Sequence, residues 1–150
     1  MGKEETNNLT LEKFAETPAR AETIVNATAE RIGRPLDTTE SIALGYMTAV
    51  LKSPDPETFF SLVGIGPEDD SRAAALKIHN KLHELKIRQL DKMLSAAKVE
   101  QVPDLNALRE LMNASHERTK ENFSSGKELY IGGVSALLIS NLLKKVKPRS

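Results

Sequence analysis

The sequence contains no cysteine and no tryptophan. Without cysteine there can be no disulfide, no thiolate zinc site and no thiol nucleophile, so any metal would have to be held by His, Asp or Glu. Aromatic residues are scarce, two Tyr and four Phe, and the β-branched residues appear singly, without the alternating runs that a half-buried strand requires. The longest uncharged apolar stretch, Ile131 to Leu143, falls well short of the ~20 residues that cross a bilayer. It also sits at the wrong end for a secretory signal. Charge of one sign is not in excess either: 21 Lys and Arg balance 21 Asp and Glu, leaving no global field to draw the chain onto nucleic acid or an anionic membrane. These absences lead to the expectation of a cytoplasmic protein without a transmembrane segment. Met1-Gly2-Lys3-Glu4-Glu5-Thr6 satisfies the short myristoylation pattern, but that pattern is permissive and the charges at positions 3 to 5 suit it poorly, so lipidation is not expected.

What the sequence does contain is helix punctuation. Seven prolines and eight glycines divide it into segments that each carry an apolar stripe at helical spacing. Residues 1–10 are polar and expected to be disordered, and Leu11 to Thr17 reads as a short helix stopped by Pro18. A second helix starts at Pro18, with Ala21, Ile24, Val25, Thr28 and Ile32 on one face, and ends at Gly33 and Pro35. Asp37-Thr38-Thr39-Glu40 has the form of a capping box for a helix carrying Ile42, Ala43, Tyr46, Met47, Val50 and Leu51. Asp55-Pro56 opens a short helix that should turn Phe59, Phe60 and Leu62 to the core before Gly64 and Gly66.

Pro67 is expected to open the longest helix, about 67–99, with Glu68, Asp69 and Asp70 at the positive end of its dipole. At 100° steps, Leu76, Ile78, Leu82, Leu85, Ile87, Leu90, Met93 and Leu94 cover more than half the circumference, so this helix should be contacted from two sides and lie centrally. Pro103 should break the chain and Asp104 cap a further helix, with Leu105, Leu108, Leu111, Met112 and Thr119 on its stripe, ending near Gly126. A last segment runs from about Lys127 to Lys147. With no internal repeat and no linker, the expectation is an all-α, single-domain bundle of about six helices spanning residues 1–150.

Three constellations bear on function. His79 and His83 are one helical turn apart and His116 borders the stripe of the following helix, a spacing that would let imidazoles share one metal ion and support a helical-bundle metalloenzyme. Against it, there is no HExxH, no Glu-x-x-His pair of the di-iron kind, and Glu84 points away from the histidine face. Ala29-x-x-x-Gly33 followed by a new helix has the outline of a helix-turn-helix over about 22–50, in which Arg31 and Arg34 would contact nucleic acid. The second helix, however, begins with Thr38, Thr39, Glu40 and Ser41, residues poorly suited to phosphate and base edges. Gly132, Ala136 and Ser140 recur every four residues along an apolar stretch and make a groove that another helix can approach closely. The basic cluster Lys144, Lys145, Lys147 and Arg149 is explained by a helix C-terminus alone.

Ser115 and His116 diverge by about 100° on a helix and form no catalytic dyad. Gly64-Ile65-Gly66 lacks the flanking strand and the Lys-Ser/Thr of a phosphate loop. Leu111-Met112-Asn113-Ala114-Ser115-His116 resembles a Leu-Met-x-x-Ser-His helix in the C-terminal half of galactokinase-type sugar kinases. The chain lacks that family's Gly/Ser-rich phosphate loop and is too short for its fold, so the resemblance implies neither activity nor site. The leading expectation is a non-enzymatic helical module for protein interaction or self-association, with no cofactor. The metal-binding enzyme and the small DNA-binding regulator stand as alternatives.

Overall fold

A computed structural model describes residues 21–131, and among these all regular structure is helical. Five α-helices follow in order: α1 (Glu22–Ile32), α2 (Thr38–Leu51), α3 (Pro56–Val63), α4 (Ser71–Ala96) and α5 (Val102–Ser124), with a 3-10 turn at Val99–Gln101 joining the last two. The all-α expectation is met, with five α-helices rather than about six among the described residues. The proposed helix at Leu11 to Thr17 and most of the segment from Lys127 to Lys147 lie outside the described residues.

Local chemistry sets the boundaries. Asp37 and Glu40 form the reciprocal capping box, Glu40 N–H donating to Asp37 Oδ1 at 2.8 Å and Asp37 N–H to Glu40 Oε1 at 3.1 Å. Asp55 caps α3 through the Thr58 amide at 2.7 Å, with Pro56 at the helix start where its missing N–H costs nothing. Gly33 and Gly64 end α1 and α3 in the left-handed conformation, φ 82° and 96°, which glycine adopts without steric penalty.

Two boundaries correct the sequence expectation. The long helix spans Ser71–Ala96 rather than about 67–99. Pro67 does not open it: Asp70 is the cap, accepting from the Ala73 amide at 2.8 Å, and Asp69 folds back to accept from Gly66 N–H at 2.8 Å and Lys77 Nζ at 2.7 Å. Aspartate side chains that bond nearby amides hold the backbone outside the helix, so the acidic run forms a turn. At the other junction Pro103 lies within the first turn of α5, and Asp104 follows it there rather than capping it, with Gln101 at the cap position. Proline is tolerated in a first turn because its absent N–H has no intrahelical acceptor there.

Helix α4 is the shared wall of the structure, packing against α1, α2 and α3 along one part of its surface and against α5 along another. Its first half joins a main core with Ile24, Ala43, Leu44, Tyr46, Met47 and Phe59, and its buried members include Ile78, Leu82 and Leu85. Its second half meets α5 in a smaller cluster made of Leu90, Met93, Leu105 and Met112. Helix α2 is enclosed more fully than its sequence suggested, with Ala43 through Thr48 buried in succession. Two side chains expected inside are outside. Leu62 is exposed because the core face of α3 centres on Phe59, Phe60 and Val63, roughly 100° away around the helix. Leu111 is 54% exposed because α5 turns Leu105, Leu108 and Met112 toward α4.

The turn after α1 carries a buried ionic node. Glu40, only 1% exposed, accepts from Arg34 Nη1 and Nη2 at 2.9 and 2.7 Å and from the Ile131 amide at 2.9 Å. Arg34 also donates to the Leu129 carbonyl at 2.7 Å, pairs with Glu128 at 2.9 Å and lies 5.0 Å from the Tyr130 ring centroid. The stretch after α5 is thereby fastened to the α1–α2 corner, with Leu129 and Ile131 in the main core. Burial alone would raise the Glu40 carboxyl, but the Arg34 guanidinium and the Ile131 and Asp37 amides outweigh it and hold the group below the usual carboxylate range. Glu40→Gln keeps the shape and the capping oxygen but removes the charge that Arg34 is buried against. It is expected to lower the free energy of unfolding by about 2–4 kcal/mol in urea denaturation at neutral pH. A change within about 0.5 kcal/mol would show that the pair merely offsets its own desolvation.

Candidate functional site

The three histidines singled out in the sequence meet at the α4–α5 interface. His79 and His83 stand on successive turns of α4, and His116 of α5 touches both. His116 Nδ1 lies 3.0 Å from His79 Nε2, with ring centroids 4.9 Å apart and planes at 17°. Against His83 the His116 ring is stacked face to face, centroids 3.9 Å apart and planes at 1°. His83 Nε2 lies 3.1 Å from Asn113 Oδ1, so the proton of neutral His83 sits on Nε2 and is donated to the amide oxygen.

The stack occupies a gap between the two hydrophobic clusters. Moving along α4 from its end, the α5 contacts run from Leu90 and Met93 in the smaller cluster, through His83 and His79, to Arg72. Arg72 donates to the Phe123 carbonyl at 2.7 Å and lies 4.0 Å from its ring centroid. The interface is thus apolar at one end, imidazole in the middle and cation–aromatic at the other.

Electrostatics keep the rings uncharged. His79 is 8% exposed, and its Nδ1 is buried without a hydrogen-bond partner. A bare lone pair costs less there than a bare N–H, which places the His79 proton on Nε2, donated to His116 Nδ1. Burial, followed by the proximity of His116 and Lys86, pushes His79 down to about 3. Burial and then His83 and Lys120 push His116 down to about 4. His83 is lowered too, by burial and Lys86, with the Asn113 bond opposing. Lys86 is itself buried, and burial brings its ammonium down to about 8.

This geometry makes a hydrogen-bonded, stacked set of neutral imidazoles rather than a converging ligand set. A metal ion about 2 Å from a ring nitrogen has to lie near the plane of that ring, and the parallel faces of His83 and His116 aim their nitrogens along separate planes. Among the described residues no group of three or more His, Asp or Glu side chains is arranged to hold a metal ion.

Arg31 donates to the Gly66 carbonyl at 3.0 Å and to the Asp69 carbonyl, tying α1 to the turn before α4. Arg34 belongs to the Glu40 node. Gly132, Ala136 and Ser140 lie outside the described residues. Asn113, Lys86 and Lys120 were not singled out from the sequence, although Asn113 lies three residues before His116 and Lys86 three after His83, spacings that share a helix face.

No protein-family model, curated protein or solved structure matches this chain. Whatever the histidines do is therefore read from their geometry. Long-range proton–nitrogen correlation spectra of the imidazoles at pH 7 are expected to show three neutral rings, with His79 and His83 in the Nε2–H form. A charged ring, or an Nδ1–H form of His79, would contradict the assignment.

Proposed function

We propose that this chain is a non-enzymatic helical module that works by docking another helical surface, with a second copy of itself as the occupant to test first. The observation that supports this reading is the incomplete closure of the α4–α5 hairpin. Among the described residues its smaller cluster is built by those two helices, with Ile87, Leu94 and Leu108 only partly covered. Leu111 and Val99 stand exposed on the same hairpin and the turn that closes it. Apolar groups left at the surface of a two-helix layer gain when a further helix covers them. The small-residue positions Gly132, Ala136 and Ser140 remain the proposed close-approach groove for such docking.

The enzyme and nucleic-acid readings rank below this one for reasons of chemistry. A reading helix must present an open face to the major groove, whereas α2 buries Ala43 through Thr48. Arg31 and Arg34, the residues that would meet phosphate, direct their guanidinium groups to backbone carbonyls and to Glu40. The imidazoles, the groups suited to acid–base work, hydrogen-bond and stack on one another.

Sedimentation equilibrium of the full chain over a wide concentration range is expected to show reversible self-association, weakened by Leu111→Glu and by Gly132→Leu. Because Leu111 is exposed, its replacement should change the unfolding free energy by less than about 0.5 kcal/mol. A strict monomer at every concentration would overturn the self-association form, and Gly132→Leu that unfolds the monomer would assign the groove to the core.

A further inference from the structure

We propose that the imidazole stack is an acid-released latch: in mildly acidic solution α5 lets go of α4 while the head formed by α1, α2, α3 and the first half of α4 stays folded. The inference concerns the monomer and stands whether or not the module docks a partner.

The geometry that carries it is the division of labour along the α4–α5 interface. Helix α5 buries only Leu105 and Met112. Its middle is held by His116 against His79 and His83, and by Asn113 against His83. Uptake of a proton disrupts this middle directly. If His116 is charged, Nδ1 becomes a donor facing the Nε2–H of His79, and the bond between them is lost. If His83 and His116 are both charged, two cations lie face to face at 3.9 Å. A charged His79 gains a second N–H on Nδ1, the buried atom for which the structure provides no acceptor.

The charged groups facing the stack do not relieve this. From α4 comes buried Lys86, and from α5 come Lys120 and Glu117. The Glu117 carboxylate is already shared, lying 3.4 Å from Lys120. Among the described residues Lys86 and Lys120 thus oppose a proton on the rings, and Glu117 favours it.

Released from α4, the rings regain the ordinary histidine value of 6.5, while in the closed state His116 is held at about 4 and His79 at about 3. The open state binds more protons below 6.5, so the latch is fully closed above that pH and loosens progressively as pH falls toward the closed-state values. Each ring so depressed multiplies the open-to-closed ratio by about thirtyfold at about pH 5. The head has no comparable weakness, because its core draws on four helices and on Leu129 and Ile131. The Arg34–Glu40 node keeps the chain beyond α5 anchored, so α5 opens as a tethered arm between the 3-10 turn and Gly126.

Hydrogen exchange of the full chain, corrected for the intrinsic pH dependence of exchange, tests the latch. From about pH 7.5 to about pH 5 the α5 amides are expected to lose protection at least tenfold while the buried α2 amides keep theirs. His116→Phe retains a ring to stack on His83 but takes up no proton, so the loss of α5 protection over that range should be clearly smaller than in the wild-type protein, with His79 left to supply the remainder. Lys120→Gln, a change at a partly exposed side chain, removes one opposing cation and should move the onset of opening to lower pH. Loss of protection by α5 and α2 together in the wild-type protein would overturn the proposal. So would a loss of α5 protection in His116→Phe as large as in the wild-type protein, or, should that variant not fold, an unchanged onset in Lys120→Gln.

Discussion

The structure depends on one long helix that has to be covered on two sides. Leu76 through Leu94 spread apolar side chains over too wide an arc of α4 for a single neighbour to bury, and the fold answers with two unequal coverings. Helices α1, α2 and α3 close around its first half, and among the described residues α5 lies along the remainder. The unequal sizes of the two cores and the exposed surface of the α4–α5 hairpin follow from this. So does the position of the histidines, which fall where the larger covering ends and the smaller one begins.

Burial of ionisable groups is handled in two different ways in this structure. At the α1–α2 corner Glu40 stays charged, because Arg34 and two backbone amides satisfy the carboxylate from several directions. At the α4–α5 interface the histidines stay neutral, because burial strips their solvation and the neighbouring rings and the Lys86 and Lys120 ammonium groups add to the cost of charging them. The first arrangement ties together parts of the chain that are distant in sequence and confers registry on the corner. The second gives an interface whose strength depends on protonation.

Features set by neighbouring residues were legible in the sequence. Asp37 with Glu40, Asp55 with Pro56, and the stops at Gly33 and Gly64 each act within one helical turn, and they appear where their spacing predicts them. The errors arose where one residue type has two local uses. Pro67 and Pro103 both read as boundaries, yet Pro103 sits inside α5 and Pro67 within the Gly66–Asp69 turn, a difference decided by whether Asp70 or Gln101 supplies the entry. Glu40 shows the other limit. Its capping role was visible, but its bond to the Ile131 amide spans most of the described chain, and no local pattern carries that information. For the histidines, the shared face of His79 and His83 was readable from the period of α4. The stacking of His116 on them depends on the register of two helices, which the apolar stripes alone do not determine.

Leucine at positions 79, 83 and 116 would join the two hydrophobic clusters into one continuous seam and remove the orphaned Nδ1 of His79. Imidazole instead brings a hydrogen bond between helices, a stacked ring pair and a polar break that keeps the clusters apart. A continuous apolar seam binds with little dependence on pH, because nothing in it titrates. The interface observed here retains only a modest apolar contribution from α5 and assigns the middle of the contact to groups whose ordinary titration range borders neutrality. Adhesion between α4 and α5 therefore rests on the protonation state of three rings as well as on the apolar surface that the two helices bury.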